Sequence, residues 1–380
     1  MVKQLAAGPL LLILFLFAST IPRNNTRMVF ASWYGKKYGD STKYLFEEAQ
    51  KRPKYDAYFL VKDKALLETE NPAILYAYSA KGIWAQLTAR YFFCTVNSFD
   101  FFAPCIGRNA ELVQVCHGMP IKRGFEEKYG WFSKLKNAIR RNTIDRYRYV
   151  VSAHKVFDEI LRTQWRVKQD QLLTLPMPRC DALFDTPKAF APDWLDGSKK
   201  FVLYAPTHRD EGHSIDAILE NCKLIAEFFS TPDKIALGYV PAVKLHYYDE
   251  KFADQIESEC NLHVLVADLD TNVILSRVDI LLADYSGIVY DYSYLKRPII
   301  CLAADYQTYT RRHRGLYFEL GDLFRHIAYD KGDLHRILSA ACSTEGIAPG
   351  LKIDLSPEGC EIGQFSQYSF DVLEDEVFQH

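Results

Sequence analysis

Short apolar runs that stop abruptly on polar residues, each leading into a helix-like stretch, recur along most of this chain. Arg27 to Ala31, Tyr55 to Val61, Leu112 to Cys116, Tyr147 to Ser152 and Gln171 to Leu175 read as strands of a first half. Phe201 to Ala205, Tyr239 to Leu245, Val264 to Ala267, Val278 to Ala283 and Pro298 to Leu302 read as strands of a second. Helix patterns lie between them. One starts near Asp40, a residue suited to an N-cap, and another is amphipathic through Phe157, Ile160 and Leu161. Strands that alternate with helices build parallel sheets covered on both faces, so the expected class is α/β. In such sheets ligands bind beyond the carboxyl ends of the strands, and the residues just after each strand matter most.

Length sets the number of domains. At 380 residues, the prior of roughly 150 residues per domain gives two. The composition shifts at Thr186-Pro187, Pro192-Asp193 and Asp196-Gly197, which reads as a linker. The expected plan is a hydrophobic segment over 1–22 and two doubly wound Rossmann-like domains, over 23–185 and 199–342, facing a central cleft. A poorly packed tail over 343–380 follows, where periodicity is lost and Glu374, Asp375 and Glu376 cluster.

A formal net charge of −2 excludes the basic footprint of a nucleic-acid binder, so any anionic ligand has to be held by local basic groups. The nine cysteines show no C-x-x-C pair and read as free thiols in a reducing compartment. A structural metal site needs paired ligand spacings that the sequence lacks, and none is expected. The targeting-like segment from Leu5 to Pro22, with Pro9 inside an apolar run that continues through Ala18, sits at the lower edge of the roughly 17 to 25 residues that span a bilayer. It admits three readings: a cleaved signal peptide, a membrane anchor or a buried first helix. Unpaired cysteines argue against export, which favours a membrane-associated helix with the body of the protein on the cytoplasmic side.

Four segments place polar residues at strand ends: His117 to Gly124, Pro206 to Asp210, Lys244 to His246, and Asp284 to Gly287. Singly, each has an ordinary structural reading as a turn, a solvated edge charge or a hydrogen-bonded loop histidine. All four, however, fall where an α/β crevice forms. The last runs from an apolar strand into a helix with Ile288, Val289, Tyr292 and Leu295 on one face. A helix N-terminus offers free N–H groups to an anion, with Ser286 as cap or phosphate donor and Gly287 allowing close approach.

The segments HGMPIKRG, YAPTHRD, VKLH and ADYSGIVYDYSYLKRPII resemble the four signature blocks of the CDP-glycerol glycerophosphotransferases, enzymes that prime and polymerise wall teichoic acid and related capsules. The opening VFASWYGKKYGDSTKYLFE and the block PMPRCDALF are similar to that family as well, and the ordered set covers roughly residues 21 to 325. Met119, His208, Tyr247 and Gly287 depart from the residues usual at their positions. The resemblance implies a two-domain GT-B-like fold, transfer without a metal or other cofactor, and CMP as leaving group. It makes His117 the candidate base for an acceptor hydroxyl, with His246 the second catalytic histidine. It assigns donor binding to Pro206, Thr207, Arg209, Lys244, Asp284, Tyr285, Ser286 and Gly287. Gly118, Lys122 and Arg123 fall on the acceptor side. The implied partners are CDP-glycerol or CDP-ribitol, a lipid-linked or polymer acceptor and the membrane surface. The rival readings are a nucleotide-sugar glycosyltransferase of the same fold and a catalytically silent scaffold.

Overall fold

The computed structural model describes residues 13–68, 70–123, 146–185, 194, 199–208, 214–265, 270–312 and 315–378. The chain folds into two compact units. The first takes the described residues up to Met119, then 146–181 and 357–378; the second takes 120–123 and the described residues from Ala182 to Ser356.

In the first unit, seven described strands form one sheet: β1 (Asn24–Phe30), β2 (Asp56–Val61), β3 (Ile74–Tyr76), β4 (Ala89–Cys94), β5 (Glu111–Gln114), β6 (Tyr147–Ser152) and β7 (Leu172–Thr174). Their order is β3-β2-β1-β4-β5-β6-β7, with every pairing parallel. Chain direction across the sheet reverses between β1 and β4, where a doubly wound sheet opens its ligand crevice. The strands are apolar because both faces are covered. On one face Phe30 stacks on Phe93 with ring centroids 4.6 Å apart, and Phe46 of the helix Asp40–Gln50 meets Phe59 at 5.7 Å. Burying each such ring contributes roughly 1.5–3 kcal/mol.

The second unit repeats the plan with six described strands: β8 (Lys200–Ala205), β9 (Tyr239–Lys244), β10 (His263–Leu265), β11 (Ile280–Ala283), β12 (Ile299–Leu302) and β13 (Ile327–Ala328). They pair in parallel in the order β10-β9-β8-β11-β12-β13, with the reversal between β8 and β11. Two Rossmann-like α/β units are what the strand pattern implied.

Three expectations need correction. Residues 357–378 are not a loose tail but part of the first unit, through a helix over Phe365–Glu376. Phe365 and Phe370 are fully buried, and Leu373 and Val377 nearly so. Asp181 accepts the N–H groups of Phe365 (2.6 Å) and Ser366 (2.8 Å) together with the Ser366 hydroxyl, satisfying the start of that helix. Arg52 reaches Asp371 and Glu374, each at 2.6 Å, from the end of the neighbouring helix. Second, the domain boundary does not follow the linker alone, because 120–123 fold with the second unit. Third, Asp40 is not an N-cap: Gly39 holds that place, and Asp40 lies inside the helix with φ +63°. Most of the expected linker lies outside the described residues.

The described part of the amino-terminal segment is a helical stretch over 13–18. Ile13, Leu16 and Phe17 are exposed on it while Ala18 is fully buried. Arg23 then pins the segment, donating to the carbonyls of Ala18 (3.0 Å) and Gln86 (2.9 Å). No described helix is long and apolar enough to cross a membrane. All nine cysteines are free, and eight are buried.

Candidate active site

In the first unit, His117 follows β5 by three residues and is reached through strained backbone. Cys116 has φ +62° and Gly118 has φ +130°, the latter a conformation open in practice only to glycine. A Cβ on Gly118 would come within 2.9 Å of Arg179 Nη2, so glycine is also what the packing there admits. The imidazole Nδ1 lies 3.4 Å from the Thr95 carbonyl oxygen. A carbonyl only accepts, so a hydrogen bond here needs the proton on Nδ1, the tautomer that leaves the Nε2 lone pair free. The Trp33 ring packs edge-on against the imidazole with centroids 5.2 Å apart.

That tryptophan is itself held. Its indole N–H donates to Asp40 Oδ2 (3.0 Å), and Arg179 Nη1 donates to Asp40 Oδ1 (2.9 Å). Asp100, fully buried, accepts the N–H groups of Tyr34 (2.8 Å), Thr95 (2.9 Å) and Val96 (3.1 Å), tying the loop after β1 to the loop after β4. Burial pushes the Asp100 carboxyl up, while those N–H groups and the Lys62 charge pull it down. Trp33, Tyr34, Asp40 and Cys116 all have positive φ around this one site. Strain concentrated in this way marks places where geometry is held for function. Trp33, Asp40 and Arg179 fall inside the segments VFASWYGKKYGDSTKYLFE and PMPRCDALF that resemble the family, but the sequence singles out none of them as a site residue.

In the second unit, the loops after β8, β9 and β11 meet at the reversal point. Asp284 accepts the Thr207 N–H with both oxygens (2.8 and 3.0 Å) and the Tyr285 N–H (2.7 Å), locking two loops together. Asp284 and Tyr285 are fully buried, and the Tyr285 hydroxyl donates to Asp305 (2.8 Å). These two therefore shape the loop from within, whereas Ser286 and Gly287 stand half-buried at its rim. Gly287, with φ −64°, is the N-cap of a helix over Ile288–Ser293, six residues long, and Ser286 Oγ accepts the Ile288 N–H at 3.4 Å. The extended anion-binding helix foreseen from the sequence is thus a turn and a half. Pro206, Thr207 and Lys244 are buried.

His246 caps the 3-10 turn Tyr247–Phe252, its Nδ1 accepting the Tyr248 N–H at 3.4 Å. Desolvation, with repulsion from His208, Lys122 and Lys244 outweighing the pull of Asp249, holds its pKa at about 4. At neutral pH the imidazole is uncharged, so it can hydrogen-bond but brings no positive charge to the loop. Lys122 is therefore a correction as well. Placed on the acceptor side from sequence, it folds with the second unit, bridging Leu316 and lying near enough to His246 to lower its pKa. Arg123 follows it there, donating from its backbone N–H to Gly315 O (2.8 Å) and from Nε to Leu316 O (3.0 Å). Gly118 remains in the first unit. Arg209 and Gly124 lie outside the described residues.

Two further groups stand beside His246. His208 Nδ1 lies 2.9 and 3.0 Å from the two oxygens of Asp249, which is buried. The His208 ring lies 5.4 Å from that of His246 at 24°. His208, His246 and Asp249 form the one group of metal-type donors found among the described residues. Local spacing does not assemble it, because His246 and Asp249 sit three residues apart in one turn while His208 lies 38 residues before His246.

A family profile described as CDP-glycerol:poly(glycerophosphate) glycerophosphotransferase matches residues 13–347. A teichoic acid poly(glycerol phosphate) polymerase of Bacillus spizizenii is 25% identical over 324 residues, 81% of this chain and 81% of that protein. A teichoic acid poly(glycerol phosphate) polymerase of Staphylococcus epidermidis is 28% identical over 320 residues, but this chain spans only 42% of its length. Among solved structures, a variant of the wall teichoic acid polymerase TagF matches with a TM-score of 0.71 at 22% identity, over 93% of this chain and 90% of that one. That last likeness speaks for the fold, and the profile match over most of the chain speaks for descent: the chain belongs to the CDP-glycerol:poly(glycerophosphate) glycerophosphotransferase family.

Proposed function

We propose that the protein transfers glycerol phosphate from CDP-glycerol to a hydroxyl of a membrane-linked acceptor, releasing CMP, in the synthesis of a teichoic-acid-like or capsular polymer. The observation that carries this reading is His117 at the end of a strand, its Nδ1 facing the Thr95 carbonyl, in a chain whose second unit brings Lys122 and Lys244 close to His246. The acceptor oxygen attacks the phosphorus that bears glycerol as His117 Nε2 takes the hydroxyl proton. A new P–O bond forms, the bond to the CMP phosphate breaks, and CMP leaves with the bridging oxygen. Lys244, Lys122 and the loop N–H groups offset the charge that develops. Supplying CDP-glycerol, CDP-ribitol and UDP-sugars in turn to the purified full chain with an acceptor tests it. CMP release from CDP-glycerol is the expected result, and UDP release instead would favour a glycosyltransferase.

The same proposal places the protein at the membrane surface on the cytoplasmic side. Ile13, Leu16 and Phe17, exposed on the first described helical stretch, suit insertion into a membrane interface. Changing all three to aspartate is expected to move most of the protein from the membrane pellet to the supernatant. An unchanged pellet fraction would remove these residues from the reading.

A further inference from the structure

We infer that His208, His246 and Asp249 form a binding site for a divalent cation of the zinc type, with an open coordination position for a phosphate oxygen. The case starts from distances. Two ligands of one ion, each bonded at about 2.0–2.2 Å, stand roughly 3 Å apart. His208 Nδ1 and the Asp249 oxygens are already 2.9 and 3.0 Å apart. The donor atoms of all three residues lie within 4.8 Å of one another. Closing the widest gap takes a rotation of the His246 ring, which is exposed and restrained at Nδ1 by a single long contact of 3.4 Å.

Chemistry then selects the ion. Two imidazoles and one carboxylate are the donor set of open, three-ligand zinc sites, while magnesium prefers an all-oxygen shell with several waters. The surroundings also fit. Asp249 is 2% exposed, so its charge has to be compensated locally. The Tyr248 ring stands 5.3 Å from His208 and 5.4 Å from His246, walling one side. His246 leaves the other side open to solvent, where a ligand can complete the coordination. Lys122 and Lys244 oppose a bare cation here, so a diphosphate, whose charges offset both, is expected to tighten cation binding. The role toward the donor rests on the proposed glycerophosphate transfer, whereas cation binding itself does not. The resemblance in the sequence implies transfer without a metal, and the titration below decides between the two.

Titrating the chelator-stripped full chain with Zn²⁺ alone by calorimetry tests the site. One equivalent is expected to bind, tighter in the presence of CDP-glycerol, with Mg²⁺ failing to compete. His208→Ala and Asp249→Asn, checked for folding by circular dichroism, are each expected to weaken binding by at least about tenfold. As a measurement that needs no variant, Co²⁺ added to the wild type is expected to give the visible absorption of a four-coordinate site. Absence of stoichiometric Zn²⁺ binding and of that absorption overturns the inference, as does binding unchanged in both variants. His208 and Asp249 are then a hydrogen-bonded pair. Zinc bound in a preparation that releases no CMP counts against the transfer reading and leaves the cation site standing.

Discussion

His117→Ala is expected to lose about 10²- to 10⁴-fold in CMP release while still binding CDP-glycerol within a few-fold of the wild type by calorimetry. The size follows from removing a general base. The selectivity follows from the proposed role, in which the base meets the acceptor hydroxyl and not the donor, so the loss appears in turnover and not in donor affinity. His246→Ala is the control with the opposite signature. It removes an uncharged ring beside Lys122, Lys244 and His208, so donor binding should weaken together with turnover. Near wild-type transfer by a folded His117→Ala protein would return that histidine to an ordinary loop role. Weak donor binding by His117→Ala with normal binding by His246→Ala would exchange their roles.

Phe370→Ala is expected to destabilise the protein by about 3–5 kcal/mol, the usual cost of emptying a fully buried phenylalanine site. Phe370 is fully buried, with its ring 5.5 Å from Tyr55 and 5.7 Å from Phe378, and Arg52 lies 4.4 Å over its face. Against a typical total of roughly 5–15 kcal/mol this is a large share, and a drop in Tm of about 10 °C or more should follow. Stopping the chain at Ser356 removes Phe365, Leu373 and Val377 too, and the first unit is expected not to hold its fold. A change in Tm of under 2 °C for Phe370→Ala would mean that the last helix contributes little and that the tail expected from the sequence describes it better.

The strands most legible in the sequence were those bounded by turn residues. Tyr147–Ser152 was placed to the residue, and the strands ending at Ala205 and Ala283 were placed by their polar successors. Strand β4 escaped because the helix Ala80–Thr88 runs into Ala89 with no glycine or proline to mark the change. The last helix escaped because its buried stripe includes Ser369, while Glu374, Asp375 and Glu376 give its end the look of an acidic tail. At the site, histidines at strand ends stood out since position alone implied exposure to a crevice. Trp33, Arg179 and Asp249 did not, because what makes them notable is which side chains they meet, and those partners are distant in sequence.

The first unit is assembled from both ends of the polypeptide, with most of the second unit inserted between. During synthesis, at about 5–20 residues per second, domains that are continuous in sequence fold as they emerge. Here the second unit can finish first. The helix Asp40–Gln50 and the Asp181 carboxylate must wait for residues 365–378 to leave the ribosome before their apolar and polar surfaces are covered. The nascent protein therefore carries an uncovered hydrophobic face until residues 365–378 are made, the period in which it most needs a chaperone.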